Sequence, residues 1–439
     1  MTDLKIIYIN PCDIKPYSRN VRLHNDKHVC QIANSITEFD FTNPLLVDED
    51  NILLAGHGRL LAAKKLGLNS VPCVRIDCLT DAQKRAYRIA DNQLTISGDW
   101  DRNLLGLELK DLSDLEFDLG VIGFETAELD VLIQGQSDEL LEHDHADDLP
   151  DVDNGSIVSK TGDLWKLGEH LIYCGDALKR ESFEKLMSDG RRAQMVFADA
   201  PYNVPVDGHV CGAGSVHHDE FAMASGEMSR EQFIRFLQTA FKNLRDWSVD
   251  GSLHYLCMDW RHIIEITAAC DSVYTEMKNL CVWNKASSGK ASSGIGSLYR
   301  SKHELIFVYK NGRGQHINNV ELGTNGRYRT NVWDYPGVNS FGENRDDLKL
   351  HPTVKNVQLV ADAIMDVTNR GDVVLDSFLG SGTTLLACER VGRICRGIEI
   401  EPKYIDVAIW RWQKLTGKNA LNVVSGRTYN ELLLEVENG

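Results

Sequence analysis

The sequence has no long uncharged apolar run, and it does not begin with a basic stretch followed by an apolar one. We therefore expect neither a membrane span nor a secretory signal. The eleven cysteines include no Cys-x-x-Cys pair, which argues against a disulfide framework or a zinc knuckle and favours reduced thiols in a cytoplasm. Basic residues are also in deficit, because 47 Lys and Arg against 64 Asp and Glu leave a formal charge of −17. Such a charge argues against a nucleic-acid binder until its distribution is considered.

The charges are distributed unevenly along the chain. An acidic run over 138–153 is typical of a solvated linker. Residues 283–349, in contrast, carry ten Lys and Arg interleaved with Trp283, Tyr299, Tyr328 and Trp333. This mixture suits phosphate contacts and base stacking, so it predicts a DNA-facing segment, with a basic solvated surface as the alternative. The candidate DNA contacts are Lys285, Lys290, Arg300, Lys302, Arg327 and Arg329.

Two short apolar runs each end in an acid followed by a turn. Asp199-Ala200-Pro201-Tyr202 follows the run 195–198, and the segment 376–384, Asp-Ser-Phe-Leu-Gly-Ser-Gly-Thr-Thr, follows the run 373–375. Strands of this kind place polar groups at the carboxyl edge of a parallel sheet, where open α/β folds bind ligands. We expect the two edges to meet at one cleft.

The first of these motifs offers two hydrogen-bond acceptors. An aromatic amine is a poor nucleophile until acceptors on its hydrogens draw charge toward the nitrogen. Asp199 provides a carboxylate, and the carbonyl of Ala200 is held in place because Pro201 restricts the preceding residue to extended conformations. The ring of Tyr202 would stack on the aromatic base that carries the amine. These four residues are the candidate catalytic set, acting by positioning and electrostatics; a strand-ending turn without chemistry is the alternative.

The second motif and its neighbours suit a nucleoside ligand. Gly380 and Gly382 would let the backbone approach it, and Thr383 opens the following helix. Glu399 ends the next predicted strand, where an acid is placed to bind a ribose diol.

Together these motifs resemble those of the amino-methyltransferases of DNA, which carry (Asp/Asn/Ser)-Pro-Pro-(Tyr/Phe) and Phe-x-Gly-x-Gly. The catalytic motif comes first, as in the permuted β class. The resemblance implies a Rossmann-like α/β sheet with helices on both faces, S-adenosyl-L-methionine as cofactor, and double-stranded DNA with a flipped base as substrate. The resemblance also implies further cofactor contacts: Asp176, His351, Lys355, Asp376 and Phe378. This sequence departs from the family motifs at Ala200 and Asn356, where proline is usual.

The resemblance leaves the product open. Methylation of adenine at N6 is favoured because the cytosine-N4 enzymes more often carry Ser at the position of Asp199. The alternatives are cytosine-N4 methylation, methylation of a protein glutamine amide, or a DNA-binding regulatory protein with a degenerate methylase domain. A site-specific adenine methyltransferase, acting alone or beside a separately encoded restriction enzyme, is thus expected, while its target sequence and homodimer formation stay open.

The first 95 residues are predicted to form a smaller α+β domain. Short apolar strands at 43–47, 51–54 and 71–75 surround a helix that opens at Gly56-His57-Gly58-Arg59. This pattern resembles the ParB/sulfiredoxin-like domain, whose Gly-x-Arg-Arg turn binds nucleotide phosphate. It implies a phosphate site at Gly56, His57 and Arg59, with a purely structural module as the alternative, since Leu60 replaces the second arginine.

The remaining divisions follow from composition. We expect a helical bridge over 96–135, an acidic linker over 136–158, and a methyltransferase domain over 159–425 with a DNA-recognition insertion at about 283–350. Two loops stand out, a Gly/Ser loop at 287–296 and a long loop after Tyr202. The second contains His209, Cys211, His217 and His218, and is predicted to be a lid rather than a metal site, because the His and Cys spacing is too loose for tetrahedral coordination.

Overall fold

The computed structural model describes residues 4–18, 24–96, 100–115, 117–134, 146, 157–203, 226–285, 302–321, 327–336 and 355–438. Several predicted features lie outside these residues: the acids of 138–153, the loop 204–225, the Gly/Ser loop 287–296, and Lys290, Arg300 and His351. The chain divides into two compact units, Met1–Glu139 and Leu140–Gly439, which are described separately.

The N-terminal unit is built on a four-stranded mixed sheet of order β1-β4-β2-β3. Its elements are β1 (Ile6–Ile9), α1 (Asp26–Phe39), β2 (Leu45–Val47), β3 (Leu53–Ala55), α2 (His57–Lys65), β4 (Val71–Arg75), α3 (Asp81–Ile96), α4 (Arg102–Asp114) and α5 (Thr126–Gln134). Leu45, Val47, Leu53, Leu60 and Val71 form its core. The predicted α+β domain is confirmed, including the helix that opens after Gly56.

Two features explain the local structure of this unit. Gly56 precedes α2 with φ 99°, and a Cβ atom there would lie 2.6 Å from the side chain of Leu45, so only glycine suits this turn. Helices α4 and α5 pack through a separate small core of Leu109, Leu119, Leu129 and Leu132.

The C-terminal unit contains a ten-stranded sheet of order β11-β9-β10-β8-β7-β12-β13-β6-β5-β14. Its strands are β5 (Leu164–Leu167), β6 (His170–Cys174), β7 (Ala193–Ala198), β8 (Ser248–Met258), β9 (Glu276–Asn284), β10 (His303–Lys310), β11 (Val332–Asp334), β12 (Val373–Asp376), β13 (Ile394–Glu399) and β14 (Leu421–Asn422). Its helices are α6 (Arg180–Leu186), α7 (Arg230–Asp246), α8 (Ile263–Asp271), α9 (Val357–Val367), α10 (Thr383–Val391), α11 (Pro402–Thr416) and α12 (Tyr429–Asn438).

Five neighbouring strands, β8, β7, β12, β13 and β6, run parallel. Both faces of the sheet are covered. One core contains Ile364 of α9, Leu385 of α10 and Ile405 of α11, and the other contains Phe183 of α6 and Phe241 of α7. Because these strands are buried on both faces, β7 and β12 are almost uniformly apolar. The predicted Rossmann-like sheet with helices on both faces is confirmed.

The strand order reverses between β7 and β12. From β7 the chain passes through α7 to β8 on one side, whereas from β12 it passes through α10 to β13 on the other. Open α/β sheets bind ligands at such a reversal, beyond the carboxyl ends of the strands. Asp199, which follows β7, and Asp376, which ends β12, lie on either side of this point.

Part of the predicted DNA-recognition insertion belongs to the sheet. Strand β10, which contains the apolar run 305–309, pairs antiparallel with both β8 and β9. Its direction brings its first residues to the edge where β7 and β8 end. The unit also continues beyond residue 425, because Tyr429 at the start of α12 packs against Trp165. None of the described helices is long and apolar enough to cross a membrane.

Candidate active site

The candidate catalytic motif lies at the reversal of the sheet and is joined to Lys355. Oδ2 of Asp199 lies 2.7 Å from Nζ of Lys355, and the hydroxyl of Tyr202 donates to Oδ1 of Asp199 at 2.6 Å. Nζ of Lys355 lies 3.4 Å from the Tyr202 oxygen. Ala200 is buried, and the ring of Tyr202 packs partly into the core. Lys355 was predicted at the cofactor, yet its side chain contacts the carboxylate of the catalytic motif.

Glu304, which the sequence did not single out, completes a chain of charges. Its Oε2 lies 2.8 Å from Nζ of Lys355, and its Oε1 accepts from Nζ of Lys285 at 2.5 Å. The indole of Trp283 lies beside both lysines, with its ring centroid 4.8 Å from Nζ of Lys285 and 5.9 Å from that of Lys355. The two acids and two lysines alternate in sign from Asp199 to Lys285. Lys285, predicted to contact DNA, is therefore paired inside this chain of charges.

Burial and pairing shift the pKa values of this network in opposite directions. Burial alone would lower the pKa of Lys355, but the carboxylates of Asp199 and Glu304 outweigh it, and the pKa is raised. Burial would likewise raise the pKa of Glu304, but Lys355 and Lys285 outweigh it and lower the pKa to about 2. Both groups are thus held in their charged forms at neutral pH.

The glycine turn after β12 is organised by two acids. Asp376 accepts from the hydroxyl of Thr384 at 2.6 Å and from the backbone N–H of Phe378 at 2.9 Å. Glu399 at the end of β13 accepts from the N–H of Gly380 at 2.8 Å and from that of Glu401 at 2.9 Å. Each carboxylate oxygen keeps a further lone pair, so hydroxyl or ammonium donors of a nucleoside ligand can still bind.

Burial controls the pKa values of these two acids. It raises the pKa of Asp376 to about 7 and that of Glu399 to about 6, although their hydrogen bonds act in the opposite direction. Two buried carboxyl groups with such pKa values, beside a glycine turn at the reversal of a parallel sheet, fit a cationic nucleoside ligand. A cation would favour their ionised forms.

Other predicted cofactor residues have local structural roles in this structure. Gly382 caps α10 with φ 88°, and a Cβ atom there would lie 2.7 Å from the Cβ of Ala408 in α11. The hydroxyl of Thr383 donates to the carbonyl of Lys355 at 3.4 Å, which joins the glycine turn to the lysine that pairs with Asp199. The ring of Phe378 lies 6.2 Å from that of Phe236.

Residues directly after β6 and directly before α9 complete this edge of the sheet. Asp176 follows β6, and its Oδ1 accepts from the N–H of Leu178 at 2.8 Å. Asn356, which stands where the related motif has proline, caps α9 by accepting from the N–H of Leu359 at 3.0 Å. The replacement is therefore compatible with helix initiation directly after Lys355.

Two of the predicted DNA contacts, the buried Arg327 and the half-buried Arg329, form ion pairs with a buried acid. Nη2 of Arg327 lies 2.7 Å from Oδ1 of Asp366, and Nε of Arg329 lies 3.1 Å from Oδ2 of the same residue. Nη1 of Arg329 also donates to the hydroxyl of Tyr335 at 2.6 Å. Because both guanidinium groups form ion pairs with Asp366 of α9, the prediction that they contact DNA is corrected. Lys302, in contrast, is exposed just before β10.

The predicted phosphate residues lie at the start of α2 in the N-terminal unit. Nη1 of Arg59 donates to the carbonyl oxygens of Asn43 and Pro44, at 2.5 and 3.0 Å. The guanidinium therefore stabilises the loop before β2. Burial lowers the pKa of His57, which favours a neutral imidazole. Phosphate binding by Gly56, His57 and Arg59 stays a prediction.

The parallel sheet carries acids and a glycine turn at its topological reversal, and an Asp-x-Pro-Tyr motif lies beside them. This arrangement is typical of a Rossmann-like enzyme in which a substrate group reacts with a nucleoside cofactor. Residues 193–409 match the family described as DNA methylase of the N6/N4 type. The C-terminal unit therefore belongs to this family, and the expected S-adenosyl-L-methionine-dependent DNA methyltransferase class is confirmed. Residues 103–161 match the ParB-methyltransferase HTH domain.

Individual relatives cover both units. The ParB-like nuclease domain-containing protein YnaK of Escherichia coli (strain K12) is 44% identical over 82 residues, which are 19% of this chain and 94% of that protein. The DNA adenine methyltransferase YhdJ of the same organism is 28% identical over 264 residues, 55% of this chain and 81% of that protein. Among solved structures, the cytosine-N4-specific PvuII DNA methyltransferase aligns with a TM-score of 0.43 and 15% identity, over 62% of this chain and 93% of that one.

Cofactor affinity should rise with pH through the pKa values of Glu399 and Asp376. Below these pKa values the carboxyl groups are mostly protonated, and a neutral carboxyl is a weaker acceptor for a ribose hydroxyl than a carboxylate and cannot form an ion pair with a cation. We expect calorimetric affinity for S-adenosyl-L-methionine to increase between about pH 5 and 8. Glu399→Ala should weaken binding at pH 8 by roughly 1 to 3 kcal/mol. Glu399→Gln should remove the part of the pH dependence near 6; an unchanged profile would place the ribose elsewhere.

Proposed function

We propose that this protein methylates the N6 amine of adenine in double-stranded DNA, with the base flipped out of the helix. The observation that carries the proposal is the carboxylate of Asp199, held at the reversal of the sheet by Lys355. A carboxylate accepts strongly from an amine hydrogen, and the carbonyl of Ala200 would accept from the second one. The family relationship to YhdJ, an adenine methyltransferase, supports the choice of adenine.

Each residue of the site has a defined part in this proposal. Oδ1 of Asp199 accepts from the amine in place of the Tyr202 hydroxyl, which turns away, and the Tyr202 ring stacks on the flipped base. Asp376, Glu399 and the backbone around Gly380 hold the nucleoside part of the cofactor. S-adenosyl-L-methionine supplies an electrophilic methyl group when bound. The protein contributes orientation and acceptors rather than a covalent intermediate.

The N-terminal unit would help to select the DNA. The HTH match covers α4 and α5, which form their own small core, and a helix-turn-helix module places a helix in the major groove. Lys302 at the catalytic edge is exposed and suits a phosphate contact. These assignments support DNA as the substrate despite the net charge of −17.

Product analysis tests the proposal directly. Purified protein should be incubated with S-adenosyl-L-methionine and amplified bacterial genomic DNA, which contains no modified bases and a large variety of sequences. Mass spectrometry of the nucleosides should show N6-methyladenine above a blank made with the Asp199→Ala variant. N4-methylcytosine as the product would show that the target base is cytosine rather than adenine. An absence of methylated bases would contradict the proposed activity.

A further inference from the structure

We propose that Glu304 is a positioning residue for methyl transfer, holding the ammonium of Lys355 on Oδ2 of Asp199 so that Oδ1 is left to the substrate amine. The inference rests on the proposed role of Asp199. Glu304 is one of the first residues of β10, far from Asp199 and Lys355 in the sequence, and the antiparallel direction of β10 brings it to the catalytic edge.

The first argument concerns the needs of a buried ammonium. Lys355 is only 5% exposed, and a buried charge must be paired to avoid a large desolvation cost. Its Nζ lies between two carboxylates, 2.7 Å from Oδ2 of Asp199 and 2.8 Å from Oε2 of Glu304. Without Glu304, the ammonium would have a single carboxylate partner and would be drawn toward both oxygens of Asp199. One of those oxygens is the proposed acceptor for the amine.

The second argument concerns how firmly Glu304 is held. Its other oxygen, Oε1, accepts from Nζ of Lys285 at 2.5 Å, and only 14% of its side chain is exposed. Glu304 therefore cannot turn away from Lys355 without breaking a second ion pair. Since the four charges alternate, the network is neutral, and Lys355 adds no unbalanced positive charge next to a cationic cofactor.

The third argument concerns the other oxygen of Asp199. Oδ1 is engaged by the hydroxyl of Tyr202 at 2.6 Å, a neutral donor that can turn away when an amine arrives. Displacing a neutral hydroxyl is easier than displacing a buried ammonium. Oδ2 therefore pairs with Lys355 while Oδ1 accepts from the substrate amine, and Glu304 keeps the ammonium of Lys355 on Oδ2.

The test compares Glu304→Gln and Glu304→Asp with wild type, using tritiated methyl transfer to amplified genomic DNA, which counts product on any base. Gln removes the charge with little change of shape, and we expect kcat to fall at least about tenfold with KM for DNA nearly unchanged. Asp restores the charge and should recover part of kcat. Glu276→Gln, which changes an exposed acid of β9 paired with Lys278, is the matched control and should retain wild-type kcat.

A double-substitution cycle separates positioning from a general effect on folding. If Glu304 acts through Lys355, Glu304→Gln should have almost no further effect on kcat in a Lys355→Met background. Multiplicative losses, or a Glu304→Gln variant with wild-type kcat, would overturn the inference. Thermal unfolding and calorimetric cofactor binding show whether each variant is folded. A wild-type protein that transfers no methyl groups would instead contradict the proposed function.

Discussion

Replacing Asp199 with alanine should lower the rate of methyl transfer by at least about two orders of magnitude, as the loss of one preorganised electrostatic group does in other active sites. Asp199 provides one of the two acceptors for the amine, and its carboxylate is held in place from both sides by Lys355 and Tyr202. In the variant Lys355 still has Glu304 as a partner at 2.8 Å, so the fold should survive.

Single-turnover rates with saturating cofactor are the appropriate measurement, because they exclude product release. Affinity for S-adenosyl-L-methionine should stay within about twofold of wild type, since Asp376 and Glu399 are unchanged. Asp199→Asn is the matched control: its amide oxygen can still accept from the amine, so it should lie between alanine and wild type. A fully active Asp199→Ala variant would remove this site from the chemistry.

Much of this site was predictable because parallel strands share a carboxyl edge. Asp199 and Asp376 follow or end apolar runs, and Glu399 ends another predicted strand; the order of such strands need not be known to expect the three acids together. The glycine turn was predictable for the same reason. The roles of the turn residues were less predictable. Glycine is required at position 382 by its positive φ and by the close approach of Ala408 as much as by any ligand.

Glu304 could not be predicted because its place depends on strand direction. An acid before an apolar run lies at the opposite edge if the strand is parallel and at the catalytic edge if it is antiparallel. The sequence around β10 is apolar in either case. The pairing of β10 between β8 and β9 decides the direction, and only the structure provides it.

Arg327 and Arg329 show a second limit of sequence reasoning. Basic residues interleaved with aromatic ones are compatible with a DNA surface, and charge alone does not distinguish an exposed guanidinium from a buried one. A signal was nevertheless present, because Asp362 and Asp366 are four residues apart in the apolar segment that becomes α9. Acids at that spacing share one face of a helix and need partners when it is buried.

Replacing Arg327 with alanine should destabilise the C-terminal unit by about 3 to 5 kcal/mol, because it leaves the buried carboxylate of Asp366 with one of its two arginine partners removed. Denaturant unfolding followed by tryptophan fluorescence would measure this loss. Trp283 is a suitable reporter, since its indole N–H donates to the carbonyl of Tyr335 in the segment that Arg327 and Arg329 hold against α9.

The matched control for this prediction is Arg313→Ala, which removes an exposed arginine from the same basic stretch and should change the free energy of unfolding by less than about 0.5 kcal/mol. The salt dependence of DNA binding discriminates between the two roles of Arg327. A buried structural arginine leaves the slope of log affinity against log salt unchanged in the folded variant, whereas a phosphate contact lowers it by about one. A lower slope with undiminished stability would return Arg327 to the DNA surface.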